Sequence, residues 1–259
     1  MAEPPIAPDP ADHLIIVSLP KSATVFIQRS VEATLHAKHC RIYPRGARGE
    51  IEPSALRAFL AEPVAMAGDH APPSLHNLRI LVENGLNRIA LVVRDPRDAL
   101  VSWWHHLDRS DQRTDPPPAA DRFSLAGLRS PNYYAMNPDD RMADLIEQMF
   151  PAMQEWLANW VKAMETRPEL RFHVLRYEDF VLDQANHLQG LYRFFGHDVP
   201  AIVPAKEGPA EQMSGGIHTH THFRRGVVGS HKDEIPSRLL PLLERQIIPE
   251  VFAKFGWRL

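Results

Sequence analysis

The sequence predicts one α/β domain in which helix, sheet and helix form three layers around a central parallel sheet. Two short apolar runs, residues 14–19 (LIIVSL) and 88–93 (RIALVV), read as strands buried on both faces, as interior strands of a parallel sheet must be. Longer segments with apolar residues near helical spacing lie between such runs, so strands alternate with helices. A chain of 259 residues can bury a full core, and 44% hydrophobic with 24% charged residues is an ordinary globular composition.

The first 12 residues are proline-rich and acidic and read as a disordered arm, leaving residues 13–259 as the domain. After the first strand, Phe26, Ile27, Val31 and Leu35 place a helix over residues 25–39. Residues 41–63 carry Pro44, Gly46, Gly49 and Pro53 and predict a loop with a short helix near 54–60. A second strand at 64–67 ends in Gly68-Asp69-His70-Ala71-Pro72-Pro73, and a helix follows over 73–86. Strand 88–93 stops at Arg94-Asp95-Pro96; Asp95 is a good N-cap and Pro96 a good first helical residue, which sets a helix over 96–107. Residues 108–131 are polar, contain Pro116-Pro117-Pro118 and suit a mobile segment over a site. The remaining expectations are a helical stretch at 139–165 kinked at Pro151, a strand at 170–176, a helix at 184–195 and one last helix at 236–255. Residues 197–232 are irregular and rich in glycine and histidine.

A net charge of −3 argues against a general nucleic-acid binder, so any basic site is local. The single cysteine, Cys40, forms no internal disulfide and fits a reducing, cytoplasmic setting. No window approaches the roughly 20 apolar residues of a membrane span.

Three segments carry chemistry. Pro20-Lys21-Ser22-Ala23-Thr24 links the first strand to a helix N-terminus, where unpaired amides and the helix dipole favour an anion. A triphosphate loop would need glycines before its lysine and an acid after the second strand for Mg²⁺; here glycine is absent and Arg94 stands where the acid would be. An arginine there suits an anion neutralised without a metal. In Arg94-Asp95-Pro96-Arg97-Asp98-Ala99-Leu100-Val101-Ser102, the spacing from Asp95 to Ser102 is close to two helical turns, so Arg94 and Ser102 can grip one phosphate monoester. Arg224-Arg225-Gly226 offers guanidinium and backbone donors in an irregular loop.

The order P-K-S-x-T, R-x-P-x-D-x-x-x-S and R-[KR]-G-x-x-G resembles the PAPS-dependent sulfotransferases, as does Tyr177-Glu178-Asp179 after a strand. The resemblance runs from Leu14 to Lys232 and is nearer the cytosolic and bacterial small-molecule branch than the membrane-anchored carbohydrate enzymes. It implies the P-loop-NTPase-like sulfotransferase fold, 3′-phosphoadenosine 5′-phosphosulfate (PAPS) as donor and no metal. It assigns Lys21, Ser22, Ala23, Thr24, Val25 and Phe26 to the 5′-phosphosulfate loop and adenine wall, and Arg94 and Ser102 to the 3′-phosphate. Arg224, Arg225 and Gly226 would close over that phosphate, and Tyr177 would lie by the adenine. His70 matches the family's H-x-P general base, and Lys21 would stabilise the leaving phosphate; by position alone His70 is one of 14 histidines.

The chain departs from the family pattern at several places. Ala23 replaces a glycine; alanine keeps the loop small but tolerates positive φ poorly, so a slightly different backbone is expected. Val25-Phe26 replaces Thr-Trp, and Gly229-Ser230-His231 replaces G-D-W. The dimer motif of animal cytosolic members is not evident, which leaves homo-oligomerisation open. His218, His220 and His222 alternate as zinc ligands can, yet no cysteine or acid lies near, so a polar loop is the simpler reading. Trp103-Trp104-His105-His106 reads as helix core and acceptor-pocket wall, and Met149, Met153, Trp156 and Trp160 as core. The acceptor would be a hydroxyl or amine of a small molecule, with glycan and lipid headgroup as alternatives. Rival functions are an ATP- and Mg²⁺-dependent small-molecule kinase and a non-catalytic nucleotide-binding protein.

Overall fold

The computed structural model describes residues 12–43, 49–111, 128–203 and 227–259. Its centre is a five-stranded, all-parallel sheet in the order β2-β3-β1-β4-β5. The strands are β1 (His13–Ser18), β2 (Lys38–His39), β3 (Ala65–Asp69), β4 (Arg88–Val93) and β5 (Arg171–Arg176). Register sets Ile15 beside Ala67 on one side and Ile89 on the other.

Side chains of the interior strands alternate between two cores, which is why residues 14–17 are apolar without a break. Ile15, Val17, Ala67, Leu91 and Val93 face one core with α2 (Pro53–Leu60), α3 (Leu75–Glu83), α4 (Pro96–Asp111), α5 (Pro138–Gln148) and α6 (Phe150–Thr166). Leu14, Ile16, Met66, Ala90 and Val92 face the other, where α1 (Thr24–Leu35) contributes Ile27 and Val31. α8 (Gln184–Phe195) closes that side with Leu188, Leu191, Tyr192 and Phe195. The three expected layers are present.

Several elements differ from the sequence expectation. The first helix ends at Leu35 on a left-handed His36 (φ 52), and the chain then forms the edge strand β2 by pairing Lys38 and Cys40 with the carbonyls of Val64 and Met66. Two exposed residues carry no apolar pattern to betray such a strand. The helical stretch at 139–165 is two helices meeting at Met149, with Pro151 accommodated in the first turn of α6. A short helix α7 (Tyr177–Phe180) follows β5 directly, and α9 (His231–Glu234) follows the glycine-rich segment. The expected last helix is a 3₁₀ turn at Ser237–Leu239, α10 (Leu240–Glu244) and α11 (Pro249–Phe255); Pro241 and Pro249 each start a new helix instead of interrupting one.

At the carboxyl edge of the sheet, α1 leaves β1 toward one face while α4 leaves neighbouring β4 toward the other. The chain parts between these strands and opens the crevice in which open α/β sheets hold ligands. No helix among the described residues is long and apolar enough to cross a membrane.

Candidate active site

β1 ends at the buried Ser18, and residues 20–23 turn the chain into α1. The turn uses two left-handed residues, Lys21 (φ 70) and Ala23 (φ 63, ψ 22). Ala23 takes a conformation that glycine adopts freely, at a cost of about 1–2 kcal/mol. No side chain caps α1 and its first turn holds no acid, whereas Glu52, Ser74, Asn137 and Asp183 cap α2, α3, α5 and α8. The first-turn amides of α1 thus keep their donors and the positive end of the dipole for an anion.

Ser22 is fully buried, and its Oγ has no hydrogen-bond partner among the described residues. Thr24 Oγ1 lies 2.8 Å from Ser18 Oγ, tying the start of α1 to the end of β1. Val25 and Phe26 are half-buried, and Phe26 meets Phe180 edge to face at 5.7 Å. The Lys21 ammonium stands 5.8 Å from the centre of the Trp103 ring on α4.

Arg94, at the end of β4, is 6% exposed. Its two Nη atoms donate to the carbonyls of Lys21 (2.8 Å) and Val227 (3.3 Å). Its guanidinium lies over the Tyr177 ring at 4.1 Å, and its Nε has no partner among the described residues. Tyr177, the ring expected beside adenine, is itself buried and forms a platform under Arg94. The next residue, Glu178, accepts from the Asp95 amide at 2.8 Å. Asp95 in turn caps α4 by accepting from the Arg97 amide at 2.9 Å, as its position before Pro96 predicts. Ser102 is half-buried on α4.

His70 follows β3. Its Nδ1 donates to the Ser18 carbonyl at 2.8 Å, with Ser18 Oγ at 3.2 Å. A carbonyl only accepts, so Nδ1 carries the proton and Nε2 the lone pair. The residue keeps an exposed edge while Nδ1 turns inward. Desolvation, aided by the Lys21 charge, holds the imidazole below its ordinary value of 6.5 against the opposing pull of the Ser18 carbonyl and Asp69.

Three consecutive carbonyls of this turn are held by side chains. Trp156 Nε1 donates to His70 O and Ala71 O at 3.0 Å each, Trp160 Nε1 reaches Ala71 O at 3.3 Å, and Asn77 Nδ2 donates to Pro72 O at 2.9 Å. The Met149, Met153, Trp156 and Trp160 stripe is buried core as expected, and its two indoles also fix the histidine's backbone.

Ser18 and Asp98 escaped the sequence reading. Ser18 is the one hydroxyl in an apolar strand, a polar break that marks the strand's functional end. Asp98 lies inside the arginine motif; its carboxylate accepts from the backbone of Gly229 (2.6 Å) and from His231 through its amide (3.0 Å) and Nδ1 (2.6 Å). Arg224, Arg225, Gly226 and the His218, His220 and His222 run lie outside the described residues. Among the described residues, no three histidine, cysteine or acidic side chains cluster as a metal site.

Comparison with known proteins gives this arrangement its family. The model of the sulfotransferase domain matches residues 11–247. Cytosolic sulfotransferase 3 of Arabidopsis thaliana is 21% identical over 250 residues, covering 86% of this chain and 71% of the plant protein. Mouse sulfotransferase SULT7A1, solved with PAP, superposes with a TM-score of 0.60 at 16% identity, over 95% of this chain and 85% of the mouse chain. Retinol dehydratase, solved with retinol and PAP, gives 0.55 at 14% identity over 98% and 84%. A sulfotransferase from Alicyclobacillus acidocaldarius gives 0.50 at 14% identity over 96% of each chain. The chain belongs to the sulfotransferase family.

The strained turn yields a direct test. Ala23→Gly removes the left-handed penalty and gives back part of it as unfolded-chain entropy, for a net gain of about 0.5–1 kcal/mol. Thermal unfolding should show Tm raised by about 1–4 °C; a fall would mean that alanine is relaxed at this position.

Proposed function

We propose that this protein transfers a sulfuryl group from 3′-phosphoadenosine 5′-phosphosulfate to a hydroxyl or amine of a small acceptor. The observation that carries the reading is a set of donors where β1 and β4 end: the uncapped α1 amides, and the buried Ser22 hydroxyl and Arg94 Nε, which have no partner among the described residues. Such groups are costly in a folded protein unless a ligand meets them, and all are donors suited to an anion. Ser22, Ala23, Thr24, Val25 and Phe26 would receive the 5′-phosphosulfate and the base beside it. Arg94 and Ser102, joined by Arg224, Arg225 and Gly226 on the strength of the sequence motif, would hold the 3′-phosphate. Tyr177 would act by supporting Arg94.

The chemistry follows from charge. As in phosphoryl transfer, the group passes between two oxygens roughly in line, and negative charge grows on the leaving phosphate oxygen. Lys21 and the loop amides would stabilise that charge. His70 Nε2 would take the acceptor's proton, its tautomer set by the Ser18 carbonyl. Arg94, standing where a metal-binding acid would be needed, favours this donor over ATP with Mg²⁺.

Lys21→Ala or His70→Ala should lower turnover by about two to four orders of magnitude while thermal unfolding stays cooperative. Near-normal rates in both variants with a working acceptor, found by screening alcohols, phenols and amines with labelled donor, would remove the assignment. The base must be neutral, so kcat/KM should fall as pH drops through the His70 pKa, with the acid limb centred below 6.5. A pH profile with its acid limb above that value would point to another base. 3′-Phosphoadenosine 5′-phosphate should raise Tm and ATP with Mg²⁺ should not; the reverse would select the kinase alternative.

A further inference from the structure

We infer that Asp98, acting with His231, is a positioning residue for the donor's 3′-phosphate: it fastens the segment at 227–231 across α4 and so presets Arg94 and Ser102. The inference rests on the reading of Arg94 and Ser102 as 3′-phosphate ligands. Asp98 is 1% exposed, and an isolated carboxylate at such burial would be strongly disfavoured. Four donors surround it: the Gly229 amide at 2.6 Å, the His231 amide at 3.0 Å, His231 Nδ1 at 2.6 Å and, more loosely, Ser230 Oγ at 3.4 Å. Burial alone would raise its pKa, but the His231 side chain and the two amides hold it down to about 2, so the group stays an acceptor at any working pH.

The placement links this carboxylate to the phosphate ligands in two ways. Asp98, Ser102 and His105 stand at i, i+4 and i+7, one stripe of α4. His105 pairs with Glu234, which shares a face of α9 with His231. The helix α9 is therefore fastened to α4 on both sides of Ser102. Two residues before Gly229, the Val227 carbonyl accepts from Arg94. The backbone that Asp98 holds thus reaches the guanidinium directly, with Gly229 (φ 85) making the turn between them. His231 stands where the family pattern has tryptophan, so in this chain an imidazole N–H adds a side-chain donor to the two amides.

Asp98→Asn keeps the shape but sets an NH₂ donor against donors. Isothermal titration of the full chain with 3′-phosphoadenosine 5′-phosphate and with adenosine 5′-monophosphate separates the 3′-phosphate contribution from the rest of the nucleotide. Asp98→Asn should weaken the bisphosphate about tenfold to a hundredfold and the monophosphate less than about threefold. His231→Phe retains both amide donors and a ring, and should show the same selectivity loss at about threefold to tenfold; it carries the test if the asparagine variant does not fold. Equal weakening of both nucleotides, or an unchanged ratio in folded variants, would overturn the inference and leave Asp98 a structural residue. A wild-type protein that binds both nucleotides alike would instead remove the 3′-phosphate reading on which the inference stands.

Discussion

One buried guanidinium organises the working edge of this sheet. A charge as enclosed as that of Arg94 is tolerated only when its donors find oxygen and its face finds a polarisable partner. Here the oxygens belong to Lys21 and Val227, and the partner is Tyr177. The ends of β1, β4 and β5 and the segment after the glycine-rich stretch therefore converge on a single side chain. A lysine could not do this, because one point charge lacks the planar fork that reaches two carbonyls while lying flat on a ring.

Around Arg94 the usual rules of folding are relaxed in one direction. A non-glycine residue sits at positive φ on either side of Ser22, a helix starts without a cap, and the buried Ser22 Oγ and Arg94 Nε lack partners among the described residues. Each would be a fault in a structure built for stability alone. All of them lie where β1 and β4 end, and local inconsistency of this kind is where function is expected to lie.

Much of this was legible in the sequence. Strand 88–93, the cap at Asp95 and the three layers follow from periodicity and capping chemistry, because an interior parallel strand and a capped helix each leave a local signature. The turn from β1 into α1 was legible as strand, lysine, hydroxyl and helix. What was not legible depends on contacts distant in the chain. Nothing near Asp98 announces that its partners lie more than a hundred residues later, and nothing in a tryptophan stripe distinguishes packing from support of the turn at His70. The two-residue strand β2 is defined only by its pairing with β3, and the split of the last helix turns on how Pro241 and Pro249 are accommodated. Ala23 is held at positive φ against its own propensity by the turn around it, which its residue type alone does not reveal.

The three held carbonyls from His70 to Pro72 have a thermodynamic meaning beyond geometry. Their donors are core residues of α3 and α6, so the turn is ordered by the same cooperative event that forms the hydrophobic interior. The conformational entropy of fixing this backbone is lost during folding, so it adds nothing to the cost of a later binding event. Opening this turn means breaking hydrogen bonds to core side chains of α3 and α6, which ties the histidine's backbone to the stability of that core.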